Sequence, residues 1–210
     1  SDRAVALRKQ FAPDDPEQQR RSLANITMAH VHKYGLAASR KQAEEALALA
    51  RRLPDPPTDV VLHVYSLIAA GARIAGEQTR LLQASNEGLA FADQQGVAPE
   101  SPLRSELLRN RAEAQLMLGQ YSQAEATVRH AIAIADRTGS SGDTRIGILY
   151  GILAKSLSGQ GRYRDALVAH DDGVRLMPAQ DLGPRNGAIA LANEAMLQYA
   201  VGDYAKGLAT

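Results

Sequence analysis

The stretch LMLGQYSQAEATVRHAIAIA, Leu116 to Ala135, returns in altered form as LSGQGRYRDALVAHDDGVRLM, Leu157 to Met177. Gly119, Tyr121, Ala124 and Ala131 find counterparts in Gly161, Tyr163, Ala166 and Gly173, each 42 residues on. A third copy opens as VGDYAKGLAT, with Gly202 and Tyr204 again in place. Outward from there, Ala46–Ala50, Gly88–Ala92, Ala131–Ala135 and Gly173–Met177 follow one another at steps of 42, 43 and 42. One more step back reaches Ala4–Arg8. A fixed period of this size is the mark of a repeat array, in which each supersecondary unit stacks on the next.

The unit reads as a pair of helices. Leu107, Leu108, Ala112, Leu116 and Leu118 recur at helical spacing, as do Leu149, Leu153 and Leu157 with Ile148, Ile152 and Ala154 beside them. Long breaks fall at PDPPTD (Pro54–Asp59), GVAPESP (Gly96–Pro102), GSSGD (Gly139–Asp143) and PAQDLGP (Pro178–Pro184). Short ones are HKYG, AGE, LGQY, GQGRY and VGDY. Gly after one helix and Pro, Ser or Asp before the next are stop and start signals, and no run of β-branched alternation is long enough for a strand. In the Gly-x-Tyr break, Gly admits the left-handed conformation that ends the first helix, and the Tyr is expected to pack its ring across the hairpin. Small residues mark the helix crossings: Thr27, Ala69, Ala112, Ala154 and Ala195 in first helices; Ser39, Ala124, Ala166 and Gly207 in second helices, with Leu81 the exception.

Composition agrees. Hydrophobic residues make up 45% of the 210, aromatics only 4%, and Trp is absent, so the core must be Ala- and Leu-rich, which favours helix on helix. With 24 basic and 23 acidic residues the net charge is +1. No concentrated basic face is present to bind a phosphate backbone; Arg20-Arg21 and Arg51-Arg52 are isolated pairs. Without Cys, disulfide, thiol and zinc–thiolate chemistry are excluded, which fits the cytoplasm. SDRAVALRKQF at the start does not read as a signal peptide. The most apolar window, Val60–Gly76, is too short to cross a bilayer and carries His63 and Arg73.

Small residues in the first helix, then G-x-Y-x-x-A, a second helix and a closing Pro resemble the tetratricopeptide repeat. Tyr150, Leu153, Ala154, Leu157, Gly161, Tyr163, Ala166, Gly173 and Pro178 carry the resemblance best. It is strong after residue 105 and weaker before. Two departures stand out: a period of 42 against the usual ~34, and a first-helix aromatic represented by Tyr150 alone. Long repeats of this kind resemble those of kinesin light chains, bacterial peptide-pheromone receptors and the sensor region of maltose-regulator-type transcription factors. HEAT-type repeats of ~40–47 residues are the competing architecture; the G-x-Y hairpin argues against them.

Catalytic signals are poor. GSSGDT has the glycines of a phosphate-binding loop but no Lys. His30 and His32 stand two apart, so on a helix they diverge and cannot share a metal. His63, His130 and His170 fall in separate helices, and Asp171-Asp172 diverge as neighbours on a helix must. The chain is therefore expected not to be an enzyme and to need no cofactor or metal. One polar feature recurs: Asn25, Asn110 and Asn193, inside SLAN, LLRN and ALAN, are 85 and then 83 residues apart. Asn is a mediocre helix former, so either an inter-helix hydrogen bond or contact with a partner must compensate. The resemblance places this position at the edge of a concave groove. By the same transfer Met28, His32, Glu106, Arg109, Glu113, Met117, Lys155, Met196 and Tyr199 would border it. The Lys/Asn pattern of chaperone-binding family members is missing.

The expected architecture is all-α: a right-handed superhelix, or solenoid, of antiparallel helix hairpins in a single domain over 1–210. Its repeats fall at 17–57, 58–100, 101–142 and 143–183, with partial ones at 1–16 and 184–210, as if cut from a longer array. The expected function is a noncatalytic, cytoplasmic protein- or peptide-binding module, the sensory or scaffolding region of a larger bacterial signalling or transcriptional regulator. It would bind neither nucleic acid nor membrane. The alternatives are a self-association module, dimerising through exposed end repeats, and a small-molecule-sensing domain that controls an attached output enzyme.

Overall fold

The structure, a computed structural model, describes residues 40–50, 57–138, 144–177 and 184–209. Among them are nine helices and no strand: α1 (Arg40–Ala50), α2 (Thr58–Ile74), α3 (Gln78–Gln94), α4 (Pro102–Met117), α5 (Tyr121–Arg137), α6 (Thr144–Gly159), α7 (Tyr163–Leu176), α8 (Pro184–Val201) and α9 (Tyr204–Ala209). The chain divides into two compact units, Ser1–Asn110 and Arg111–Thr210, each taken by itself below. Asn25, Met28, His32, Thr27 and Ser39 lie outside the described residues.

Every short break among the described residues is closed by the same backbone hydrogen bond. Gly76, Gly119, Gly161 and Gly202 have φ of 72°, 72°, 74° and 87°, the left-handed region that a side chain disfavours. The residue after each donates its N–H five residues back: Glu77 to the Ala72 carbonyl at 2.9 Å, Gln120 to Gln115 at 2.8 Å, Arg162 to Leu157 at 3.0 Å and Asp203 to Gln198 at 2.9 Å. This is the Schellman closure, in which carbonyls left over at the helix end find a donor.

In the first unit α2 packs against both α1 and α3. The repeated block supplies buried residues at the first, second and fifth places of each copy: Ala46, Leu47 and Ala50; Leu89 and Ala92 behind Gly88. Leu62, Ile68 and Leu81 are sealed from solvent, each contributing about 1.5–3 kcal/mol of burial. A methyl added at Gly88 would come within 2.9 Å of Tyr65 Cβ, so α2 and α3 close on each other only because a glycine stands there. Tyr65 is thus a first-helix aromatic matching Tyr150, and the expectation that Tyr150 stands alone is corrected. The Tyr65 ring lies 6.3 Å from that of Phe91.

The second unit repeats the plan. α6 packs against α5 and α7, and α8 against α7 and α9. Ala124, Ala131, Ala154 and Ala166 are buried at the crossings, and a methyl at Gly173 would meet Tyr150 Cβ at 3.0 Å. Buried Ser156 returns its hydroxyl to the Ile152 carbonyl at 2.8 Å, as Ser85 does to Leu81 in the first unit. Of the hairpin tyrosines, Tyr204 packs as expected and Tyr121 does not. Tyr204 stacks edge-on against Tyr199 of its own hairpin, 5.5 Å between centroids. Tyr121 instead lays its ring on Gly159 of α6, the helix that follows its own pair. Gly159 offers the flat bed that a side chain would obstruct.

Candidate functional site

Within the second unit, α6, α7 and α8 enclose a cleft of about 270 Å³, with Tyr121 at one side. The α6 wall is formed by Gly151, Ala154, Lys155, Ser158 and Gly159. Their offsets of three, four, seven and eight from Gly151 put them on one helical face, and all but Lys155 are small. α8 contributes Asn193, Met196 and Leu197, again on one face, and α7 contributes His170.

Two glycines in this wall differ in physical reason. Gly159 receives the Tyr121 ring. At Gly151 an added methyl would meet no heavy atom within 4 Å. A mid-helix Gly costs roughly 0.5–1 kcal/mol relative to Ala, and here no packing contact offsets it. What the glycine provides is open space and bare backbone at the floor of the cleft.

The polar groups of the wall are Lys155, Ser158, Asn193, His170 and the Tyr121 hydroxyl; no Asp or Glu lines it. Lys155 is exposed. His170 is 8% exposed, and its Nε2 is buried without a hydrogen-bond partner among the described residues, a state that costs free energy unless something else satisfies it. Two nearby carboxylates are engaged elsewhere: Glu194 accepts from Gln198 at 2.8 Å, and Asp172 pairs with Arg175.

A wider and more open depression of about 380 Å³ lies at the α6–α7 turn, between Gly161–Asp165 and Ala200–Val201. Two of the charges in its wall, Arg162 and Asp165, are already committed. Arg162 pairs with Asp165 at 2.7 Å and with Glu125 at 3.0 Å, and Glu125 also takes hydrogen bonds from Gln160 and Arg129 at 2.9 and 3.0 Å. Burial alone would push the Glu125 carboxyl up; the Gln160, Arg129 and Arg162 donors outweigh it and hold the carboxyl below its ordinary range. This cluster ties α5 to the α6–α7 turn and is structural.

Of the groove residues expected from sequence, Lys155, Asn193 and Met196 meet on the cleft, with Met196 70% exposed. Tyr199 is turned to Tyr204. Met117 is exposed and Glu113 half-buried, and neither lines the cleft. In the first unit Glu106 and Arg109 pair with each other at 2.6 Å. Asn110 requires correction as a contact residue: it is 0% exposed and accepts a hydrogen bond from Arg109 at 2.9 Å. A side chain without accessible surface cannot touch a groove occupant. The residue that the sequence reading set aside is His170. Its signal lay in register: Ser85, Thr127 and His170 are 42 and 43 residues apart and all buried, a polar row on the second helices.

Among the described residues no three His, Asp or Glu side chains gather to hold a metal, and no helix is long and apolar enough to cross a membrane. The architecture is that of a helical-hairpin repeat protein. No family model matches the chain, and no curated protein does. Solved structures do. BtubC (BKLC) from P. vanneervenii is similar at a TM-score of 0.77 and 19% identity, over 99% of this chain and 84% of that one. A kinesin-light-chain-type protein of Podospora anserina with nearly identical TPR-like repeats matches at 0.70 and 16%, over 93% and 92%. A Signal Transduction ATPase with Numerous Domains from Pyrococcus horikoshii, which carries a tetratricopeptide-repeat sensor, matches at 0.71 and 16%, over 98% of this chain and 31% of that one. The fold is the TPR-like helical-hairpin repeat that these structures share.

Proposed function

We propose that the chain is a binding module that holds a protein or peptide segment over the α6–α8 cleft, with one side chain of that segment entering it. The observation that carries this reading is Gly151, a helix-interior glycine with no packing role at the floor of a cleft walled by Lys155, Asn193 and Met196. Met196 is a soft, adaptable contact, and the Asn193 carboxamide can both donate to and accept from a peptide backbone. The repeats are read as one array across the whole chain, acting in the cytoplasm as the sensory or scaffolding region of a larger bacterial regulator. The Pyrococcus horikoshii neighbour, whose repeats are a sensor, supports that by analogy of fold.

The test is selection of peptides from a displayed random library on the purified chain, with affinities then measured against Gly151→Phe and Asn193→Ala. Peptides that bind the parent chain are expected to lose roughly tenfold or more on Gly151→Phe, whose ring fills the cleft. Selected peptides that bind both chains equally would place the partner surface elsewhere and defeat the reading.

A further inference from the structure

The chemistry of the cleft wall specifies what enters it. Its polar side chains can all donate a hydrogen bond, none is anionic, and one, Lys155, carries a full positive charge. No ion pair or hydrogen bond engages Lys155 among the described residues. His170 adds a nine-tenths buried ring whose Nε2 lacks a partner. The remainder of the wall, Gly151, Ala154, Gly159, Met196 and Leu197, is apolar or bare.

We propose that the group entering the cleft is a single carboxylate on a short apolar stem, with Lys155 as its counter-charge, Asn193 and Ser158 as donors, and Met196 and the Gly151 floor covering the stem. One cation matches one negative charge; a phosphate dianion would leave charge uncompensated in a half-enclosed site. The volume of about 270 Å³ lies at the lower edge of small-molecule sites, which suits a stem of a few carbons rather than a drug-sized body. The proposal rests on the cleft being the binding site, as above, and leaves two carriers for the same chemistry: a free short-chain acid, or an acidic side chain of a bound segment.

The experiment uses the full chain and two sets of probes. Calorimetric titration compares the straight-chain monocarboxylates from acetate to octanoate with their primary amides, on the parent chain and on Lys155→Gln. Lys155 is exposed, so this variant leaves the fold intact. Acids are expected to bind at least roughly tenfold tighter than amides, with affinity rising along the series and then falling once the stem outgrows the cleft. Lys155→Gln is expected to abolish the acid–amide difference while leaving amide affinity unchanged. In the second arm the library-selected peptides are compared with versions in which each Glu or Asp is amidated.

Discrimination by the free acids identifies a small-molecule carrier, and discrimination confined to the peptides identifies an acidic segment. Selected peptides that bind through the cleft without any carboxylate, together with no acid–amide difference, overturn this proposal and leave the peptide reading standing. Acids that bind while no peptide is selected support it and defeat the peptide reading instead. Acid binding that Lys155→Gln does not alter overturns it as well.

Discussion

In the α2–α3 hairpin Tyr65 closes on Gly88; in the α6–α7 hairpin, 85 residues later, Tyr150 closes on Gly173 in the same way. The turns match too, Gly76 with Gly161, in left-handed geometry and in the hydrogen bond that follows. Ile68 and Leu153 fill equivalent core places, as do Ala69 and Ala154. The two hairpins part company on one face. Where the first has Ser66, Ala70, Arg73, Ile74 and Ser85, the second has Gly151, Lys155, Ser158, Gly159 and His170, and these five all line the cleft. Positions that hold a hairpin together are kept from one copy to the other, Ala154 among them although it also lines the cleft, while the other α6 and α7 positions that face the cleft differ.

The strongest test of that equivalence is in the core. Ile68→Ala and Leu153→Ala should each destabilise by about 2–5 kcal/mol, read as loss of melting temperature. A much smaller loss at one of them would break the parallel.

The glycines sharpen it. Gly88→Ala and Gly173→Ala should both destabilise by roughly 1–3 kcal/mol, because the new methyl meets a tyrosine Cβ fixed by the backbone. Gly151→Ala should do the opposite and stabilise by up to about 1 kcal/mol, since the methyl gains helix propensity and touches nothing. Opposite signs at Gly173 and Gly151, measured by thermal melts, would separate a glycine kept for packing from one kept for open space.

The smallest effect concerns Glu125 of α5, which pairs with the turn of the second hairpin; at the first, Arg80 of α3 pairs with Glu44 of α1 at 3.4 Å. The folded-state carboxyl is depressed below its ordinary value of 4.5. Its contribution is therefore complete above that value and disappears as pH falls through the folded-state value. Between about pH 5 and pH 3 the parent chain should lose more melting temperature than Glu125→Gln. Equal slopes would show that the cluster with Gln160, Arg129 and Arg162 does not stabilise the fold.

The helices and their turns were legible because they depend on local rules. Period, Gly placement and small crossing residues are written in consecutive residues, and Gly119, Gly161 and Gly202 took the conformation their position demanded. The candidate cleft was legible only in part. Lys155, Asn193 and Met196 came from register, but register could not say that Asn110, at the same place as Asn193, would be sealed from solvent. That depends on what packs over each copy. Tyr121 was read as closing its own hairpin because sequence shows the neighbour along the chain and not the glycine 38 residues on that receives the ring. One histidine per helix carries no motif, so His170 stands out only through its place in the cleft.

The substantial helix contacts within each unit run between consecutive helices, and each short turn is tied by hydrogen bonds spanning five residues. No distant stretch of chain must find its mate before the structure gains anything. Assembly can therefore begin at whichever hairpin forms first and spread outward, with refolding on the order of microseconds to milliseconds, as in other topologies rich in local contacts. The same economy lets one hairpin within a unit open and close while its neighbours stay folded.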